Sequence, residues 1–328
     1  MQCPLISIIL PTFNRSTMLA NAVDSLLRLE TAGLFVYEIL IINDGSTDET
    51  KDVVEKMIQR SHGLVRTIEG ESKGYTRALN LGLSKSEGEW VALFDDDQLA
   101  APGWLKELFS FAQDKGAFCV GGRRELVLAQ DVLSGIGPVC RELMGEVMQN
   151  EITTQCHPRS HPYGGNMLIK RSIFDDIGMF DETFLTGGCD RDFVLRAINR
   201  DVPMGLTPMA VVQHIIPSQR VTSEHIKWYS LQLGNSIAYI DWRRWGRMKT
   251  CMACVARIGQ ALLVNIPLFL VAYIQRDLPE IQDRKVLLWR AVAYLQKTLS
   301  LLSSRLFGQD SYFSKLAFRR ERESMGKE

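Results

Sequence analysis

Short apolar runs alternate along the chain with segments in which apolar residues return every three or four positions. Leu5 to Leu10 is apolar but for Ser7 and stops at Pro11, after which Met18, Leu19, Ala22, Val23, Leu26 and Leu27 recur with helical spacing. Tyr37 to Ile42 reads as a second buried strand ending at Asn43-Asp44-Gly45. Ser46 and Glu49 then give a capping-box spacing ahead of Val53, Val54, Met57 and Ile58. A third strand is expected at Leu64 to Ile68, a helix near Thr76 to Ser84, and a fourth strand at Trp90 to Phe94. Strands alternating with helices predict an α/β fold with a doubly wound, mostly parallel sheet flanked by helices.

After Pro102-Gly103-Trp104 the spacing predicts a helix to about Gln113 and a strand from Ala117 to Gly121. Periodicity weakens between Arg123 and His161, a stretch expected to be loop-rich and mobile. Order is expected again at the turn Gly164-Gly165-Asn166, the strand Met167 to Lys170, a helix from Arg171, and another opened by Asp190-Arg191-Asp192-Phe193. Residues 1–220 therefore read as one α/β domain and 221–328 as a helical C-terminal appendage.

The appendage interleaves Trp228, Tyr229, Trp242 and Trp245 with Arg243, Arg244 and Arg247. Its most apolar piece, Ala261 to Ile274, is 14 residues long and contains Asn265 and Pro267, short of the roughly 20 residues a membrane-spanning helix needs. Extension back to Met252 takes in Arg257 and Gln260, both costly in hydrocarbon, so a buried or interfacial helix is expected. Lys285 to Phe307 reads as a second amphipathic helix, with Arg284, Arg290, Lys297 and Arg305 interspersed. This pattern suits a membrane surface and equally a helix packed on a core. The charged stretch from Arg319 is expected to fray.

At 328 residues, 46% hydrophobic and 23% charged, the chain has the size and composition of a globular protein of about two domains. Lys+Arg and Asp+Glu are 38 each, which gives no global basic field for nucleic acid. Seven cysteines without regular spacing argue against a disulfide framework and for a reducing compartment. Met1-Gln2-Cys3-Pro4 enters the first strand with no secretory signal, so a cytoplasmic protein is expected, peripheral on the inner face of the membrane if the appendage touches lipid.

Asp95-Asp96-Asp97 follows the apolar strand directly, at the carboxyl end where open α/β sheets place their ligand crevices. Adjacent buried acids repel one another and lose hydration unless a cation neutralises them, so a divalent metal, Mn²⁺ or Mg²⁺, with a phosphate ligand is the natural reading. A solvated acidic turn capping the next helix is the bland one. Three strand ends then present polar groups on one edge: Pro11-Thr12-Phe13-Asn14-Arg15, Asn43-Asp44-Gly45-Ser46 and the Asp triplet.

In order and spacing, "SIILPTFNR", "EILIINDGSTDET", "KGYTRALNLGLSKSEGEWVALFDDDQLAAPGWL", "YGGNMLIKRSIF" and "GGCDRDFVLR" resemble the family 2 glycosyltransferases of the GT-A fold over residues 5 to 217. The resemblance implies a nucleotide-sugar half at about 1–122 and an acceptor half at about 123–220. It implies that Pro11, Thr12, Asn14, Arg15 and Asp44 hold the nucleoside, Asp44 accepting from the base edge as a carboxylate does. Asp95 would contact ribose and nucleotide, and Asp97 would bind the divalent cation that bridges the two phosphates of the donor. Asp96, in the variable middle position of the DxD motif, is expected to be a helix N-terminal acid or a water-shell contact.

Asp190 aligns with the base that takes the acceptor hydroxyl's proton in an inverting displacement, although Cys189 stands where the family has Glu. Its plain alternative is an N-cap of the following helix. Asp192 is expected to be structural, paired with Arg191 or Arg196. His214 is expected near the metal or diphosphate, or else as a satisfied surface group. Lys73 and Arg77 are candidates for phosphate or base; Leu79 occupies the place where the family often has Arg, so the basic role is expected at Arg77. Gly164, Gly165 and Asn166 would line the acceptor side.

The resemblance thus implies transfer of a sugar from a nucleotide-diphosphate sugar, UDP being the commonest, to a saccharide or lipid-linked acceptor. Sugar-phosphate nucleotidyl transfer would need a Gly-rich basic loop where Pro11-Thr12-Phe13-Asn14 stands, and no G-x-G-x-x-G follows the first strand for a dinucleotide oxidoreductase. Cys189 is the one feature that favours a non-catalytic nucleotide-sugar-binding scaffold. The lone Cys251-Met252-Ala253-Cys254 and the group Cys156, His157 and His161 read as incidental.

Overall fold

A computed structural model describes residues 3–184 and 187–303. The strands β1 (Leu5–Thr12), β2 (Val36–Asn43), β3 (Val65–Glu69), β4 (Trp90–Phe94), β5 (Gln98–Ala100), β6 (Cys119–Val127), β7 (Asn166–Lys170) and β8 (Met204–Ile215) form one sheet in the order β3-β2-β1-β4-β7-β6-β8-β5. The pairs β1–β2, β1–β4 and β2–β3 are parallel, while β4–β7, β6–β7 and β5–β8 are antiparallel. The sheet is therefore mixed, with the doubly wound pattern confined to its first half.

Helices α1 (Ser16–Leu26), α2 (Thr50–Arg60), α3 (Tyr75–Lys85) and α4 (Trp104–Lys115) follow β1, β2, β3 and β5. Alternation within β1 sends Ile6, Ile8 and Leu10 into one core with Leu19 and Val23 of α1, Val54 of α2 and Leu105 of α4. On the other face Ile9 meets α3 so closely that a Cβ on Gly82 would lie 2.5 Å from its Cγ2. Each fully buried Ile or Leu contributes about 1.5–3 kcal/mol. Core burial thus fixes the register of the central strands.

Pro11 does not stop β1; it pairs with Ile42 of β2 beyond the last residue bonded to β4, where its missing N–H costs no ladder bond. The expected capping box does not form either. Ser46 N donates to the Asn43 side chain, and Asp48 accepts from Thr50 at the start of α2. The stretch from Arg123 to His161 holds more structure than its periodicity suggested: β6 continues to Val127, and α5 (Gln130–Ser134) and α6 (Pro138–Leu143) follow. Helices α7 (Ile173–Ile177) and α8 (Cys189–Ile198) flank β7 and β8.

Among the described residues one compact unit takes the chain up to Glu125 with Val147–Ile215, and a second takes Leu126–Glu146 with the residues from Ile216 onward. In the second unit α9 (Ser223–Gln260) is interrupted at Gly246, whose φ of 76° and ψ of 179° are open only to glycine. A π-turn at Ala261–Asn265 continues it into α10 (Ile266–Gln275), and α11 (Leu278–Leu302) returns antiparallel. Arg284 donates to Asn265 (3.1 Å) and Tyr294 to Asp241 (2.8 Å). Asp283 of α11 accepts from the backbone N–H of Val139 and Cys140, capping α6. The expected extension of α11 to Phe307, with Arg305, and the tail from Arg319 lie outside the described residues. The apolar piece Ala261 to Ile274 is not buried as one of the two expectations had it: Leu263 is 79% and Ile274 80% exposed.

Candidate active site

The parallel strands β1, β2 and β4 deliver Thr12, Asn43 and Phe94 to one edge. Because β7 runs antiparallel to β4, with Asn166 opposite Phe94, the turn at Gly164 and Gly165 reaches the same edge. The three-residue β5 sets Gln98 opposite His214 of β8 and so brings the imidazole to the acids.

The three acids differ in their surroundings. Asp96 is turned into the protein, its Oδ2 accepting from the Thr12 hydroxyl (2.8 Å) and its Oδ1 from Arg15 (2.7 Å). It ties the loop after β1 to the end of β4, a role different from the expected helix-terminal or water-shell acid. Arg15 also donates to Asp97 Oδ2 (2.9 Å). Burial alone would lower the Arg15 pKa, but the charges of Asp96 and Asp97 outweigh it and hold it above its ordinary value. Asp97 Oδ1 lies 3.3 Å from His214 Nε2. Asp95 accepts from the Tyr75 hydroxyl (2.9 Å), and Gln98 Nε2 stands 3.4 Å from its other oxygen. Burial, then the charge of Asp97, pushes the Asp95 pKa up to about 6 against the pull of Arg124 and Tyr75. Burial, then the charges of Asp95, Cys189 and Asp190, holds the Tyr75 hydroxyl well above its ordinary range, so it remains a donor.

Asp190 sits in the first turn of α8, but the cap position is Gly188. The Asp190 Oδ2 accepts instead from Gly164 N (2.9 Å), and Arg124 donates to Gly164 O (2.9 Å). A Cβ on Gly164 would stand 3.0 Å from Asp190 Oδ2; one on Gly165, whose φ is +78°, would stand 2.2 Å from Asp95 Oδ2. The double-glycine turn is therefore wedged between the side chains of Asp95 and Asp190. Cys189 is 1% exposed, and burial followed by the charge of Asp190 pushes its thiol up to about 12. Asp192 pairs with Arg196 at 2.9 Å, as the sequence suggested.

Other candidates are held by the scaffold. Asn166 is buried with its amide engaged: Trp104 donates to Oδ1 (2.7 Å), and Nδ2 donates to the carbonyls of Arg123 and Ala210. It staples β7 to its neighbours and does not line an acceptor cleft. Asn14, at a φ of 51°, accepts from Thr47 N (2.7 Å). Both Asp44 oxygens accept backbone N–H groups, from Lys73 (3.1 Å) and Gly74 (2.7 Å). The ammonium of Lys73 pairs with Glu71 and the guanidinium of Arg77 with Glu182 at the surface, so the basic role expected of Arg77 is not found beside the acids. Tyr75 and Arg124 are there instead.

His161, read from the sequence as incidental, is fully buried against Tyr163, with ring centroids 4.4 Å apart, and Nε2 is 3.5 Å from Arg191. Burial holds its pKa below the ordinary value.

Among the described residues no three His, Cys, Asp or Glu side chains form a closed metal cage. A cation shared with a diphosphate needs only an open site. Asp97 and His214 would offer one carboxylate and one imidazole, a donor set whose chemistry fits Mn²⁺.

The sequence profile described as "Glycosyl transferase family 2" matches residues 7–178. The glycosyltransferase AglE of Haloferax volcanii is 24% identical over 185 residues, which cover 56% of this chain and 59% of AglE. The chain spans still less of two other curated relatives, 24% and 38% of their lengths. Among solved structures, the mannosyltransferase PcManGT from Pyrobaculum calidifontis in complex with GDP-Man and Mn²⁺ superposes with a TM-score of 0.61 at 14% identity, covering 93% of this chain and 89% of that one. S. aureus TarS 1-349 in complex with UDP gives 0.53 at 16% identity, covering 93% and 92%. Both likenesses are of fold.

Proposed function

Because the chain belongs to glycosyl transferase family 2, we propose that it moves a sugar from a nucleotide-diphosphate sugar to a hydroxyl of a saccharide or lipid-linked acceptor by one inverting displacement. The observation that supports this reading is the turn at Gly164 and Gly165, with Asp190 against the first glycine and Asp95 against the second, the two carboxylates that the reading assigns to acceptor and donor. In this reading Asp190 accepts the proton of the attacking hydroxyl, and Gly164 N holds its Oδ2 in place. The loop from Pro11 to Arg15 and Asp44 form the nucleoside end, and Asp95, oriented by Tyr75, contacts the nucleotide. Asp97 and His214 would hold Mn²⁺ or Mg²⁺, which when bound neutralises the departing diphosphate. Arg15 pairs with Asp96 and Asp97 and holds both carboxylates in place. The Mn²⁺ and GDP-Man in one solved neighbour and the UDP in another support a metal-assisted reaction on a nucleotide-sugar donor.

The scaffold alternative rested on Cys189. That thiol is 1% exposed, its pKa pushed up to about 12 by burial and then the charge of Asp190, and the roles proposed for the carboxylates do not call on it.

The test is release of free nucleoside diphosphate from a panel of nucleotide-sugars in Mn²⁺, with a saccharide and a lipid-linked saccharide as acceptors. Asp190→Asn is expected to keep nucleotide affinity and to lose turnover by about a hundredfold or more, the usual contribution of a positioned base. Chelation is expected to abolish turnover in the unaltered protein. Turnover of Asp190→Asn at the parent rate would refute the assignment of the base.

A further inference from the structure

We propose that the α9–α10 arm lies in the plane of an anionic membrane surface, inserted by the outward face of residues 248–275. This inference stands apart from the glycosyl-transfer reading. Along the arm the usual amphipathic logic is inverted. The buried positions are Thr250, Cys254, Ala261, Asn265 and Ala272, a four-and-seven spacing that makes a single narrow seam of small residues. Cys254 packs in a cluster with Tyr294, and Asn265 accepts from Arg284, so this seam is the one that faces α11. The large side chains point outward: Val255, Leu263, Leu270 and Ile274 are 54 to 80% exposed. So continuous an apolar surface marks an interaction site.

Charge identifies the occupant. Residues 258–275 contain no charged side chain, whereas residues 242–276 contain six cations and no Asp or Glu. Arg247 and Lys249 are exposed before the apolar stretch, and Arg276 is exposed at its end beside Tyr273. Cations bracketing an apolar face complement an anionic lipid surface.

The antiparallel return of α11 argues against a spanning helix. Glu280 and Arg284, joined through Asn265 to the arm, stand beside the apolar stretch. Spanning would carry this charged pair into hydrocarbon, where ionised groups are costly. In-plane insertion leaves α11 on the watery side.

Flotation of the full chain with vesicles tests this. It is expected to float with phosphatidylcholine vesicles containing phosphatidylglycerol and to do so less in high salt. Leu263→Asp with Ile274→Asp should weaken binding at least about tenfold. Arg247→Glu with Lys249→Glu should weaken it about tenfold on anionic vesicles only; this pair keeps the test decisive if the aspartates disturb folding, which circular dichroism and an unchanged melting temperature monitor. No flotation with any vesicle, a lipid-independent dimer that Leu263→Asp converts to monomer, or retention in membranes after carbonate would each overturn the proposal. None of these readouts requires sugar transfer.

Discussion

Gly165 stands where a side chain has no room. A Cβ there would lie 2.2 Å from Asp95 Oδ2, and the φ of +78° adds about 1–3 kcal/mol of backbone strain for any other residue. Gly165→Ala is therefore expected to lower the melting temperature and to lose most of the turnover. Parent-like turnover in that variant would show that the turn does not position Asp95. His161 offers a pH signature. Burial sets its folded pKa below the unfolded value, so below about pH 6.5 the unfolded chain takes up the proton first and stability falls as pH drops toward the folded pKa. Urea midpoints at about pH 7.5 and 5.5 should differ more for the parent than for His161→Gln. The Asp triplet was legible in the sequence because adjacent acids ending an apolar strand demand a compensating charge. Arg15, five residues past the end of the first apolar run, was legible only as part of a motif, and its pairing with Asp96 and Asp97 was not. Tyr75 and Arg124 escaped notice because their partners Asp95 and Gly164 lie 20 and 40 residues away, and nothing local marks such contacts.

Periodicity identified the strands β1 to β4 and the helices between them because each buries a continuous face. It could not supply pairing direction. The antiparallel β7 follows from its register against β4, a long-range choice that leaves the same apolar run in the sequence. The three residues of β5 are too few for any period to show, yet their pairing with β8 carries His214 to Asp97. Leu126, Cys140 and Leu143 gave no helical or strand period because they are spread over a strand end and a six-residue helix, and their burial comes from Ile226 and Val286 far along the chain. The break in α9 was equally silent. A Cβ on Gly246 would meet nothing within 4 Å, so Gly246→Ala isolates the backbone cost of its conformation. The variant is expected to lose about 1–3 kcal/mol, read as faster hydrogen exchange along α9, with turnover unchanged.

The sequence divides near residue 220 by composition, whereas the contacts give the second unit an earlier start at Ile216 and add the excursion Leu126–Glu146. That excursion is tied at its neck, where Arg124 and Val147 exchange backbone hydrogen bonds of 3.1 and 3.0 Å. A chain ending at Ile215 would keep the excursion but lose Ile226, Val286 and the Asp283 cap of α6. Limited proteolysis of such a chain is expected to cut within 126–146 and to spare the sheet; resistance there would show that the excursion is stable without its partners.

The spacer between Asp95 and Asp190 is main chain alone. In the proposed reading this is the gap across which a sugar changes hands, and replacing a glycine is the direct way to alter it. On that reading, a change of sugar or acceptor would fall on the walls around the gap and leave the spacer as it is.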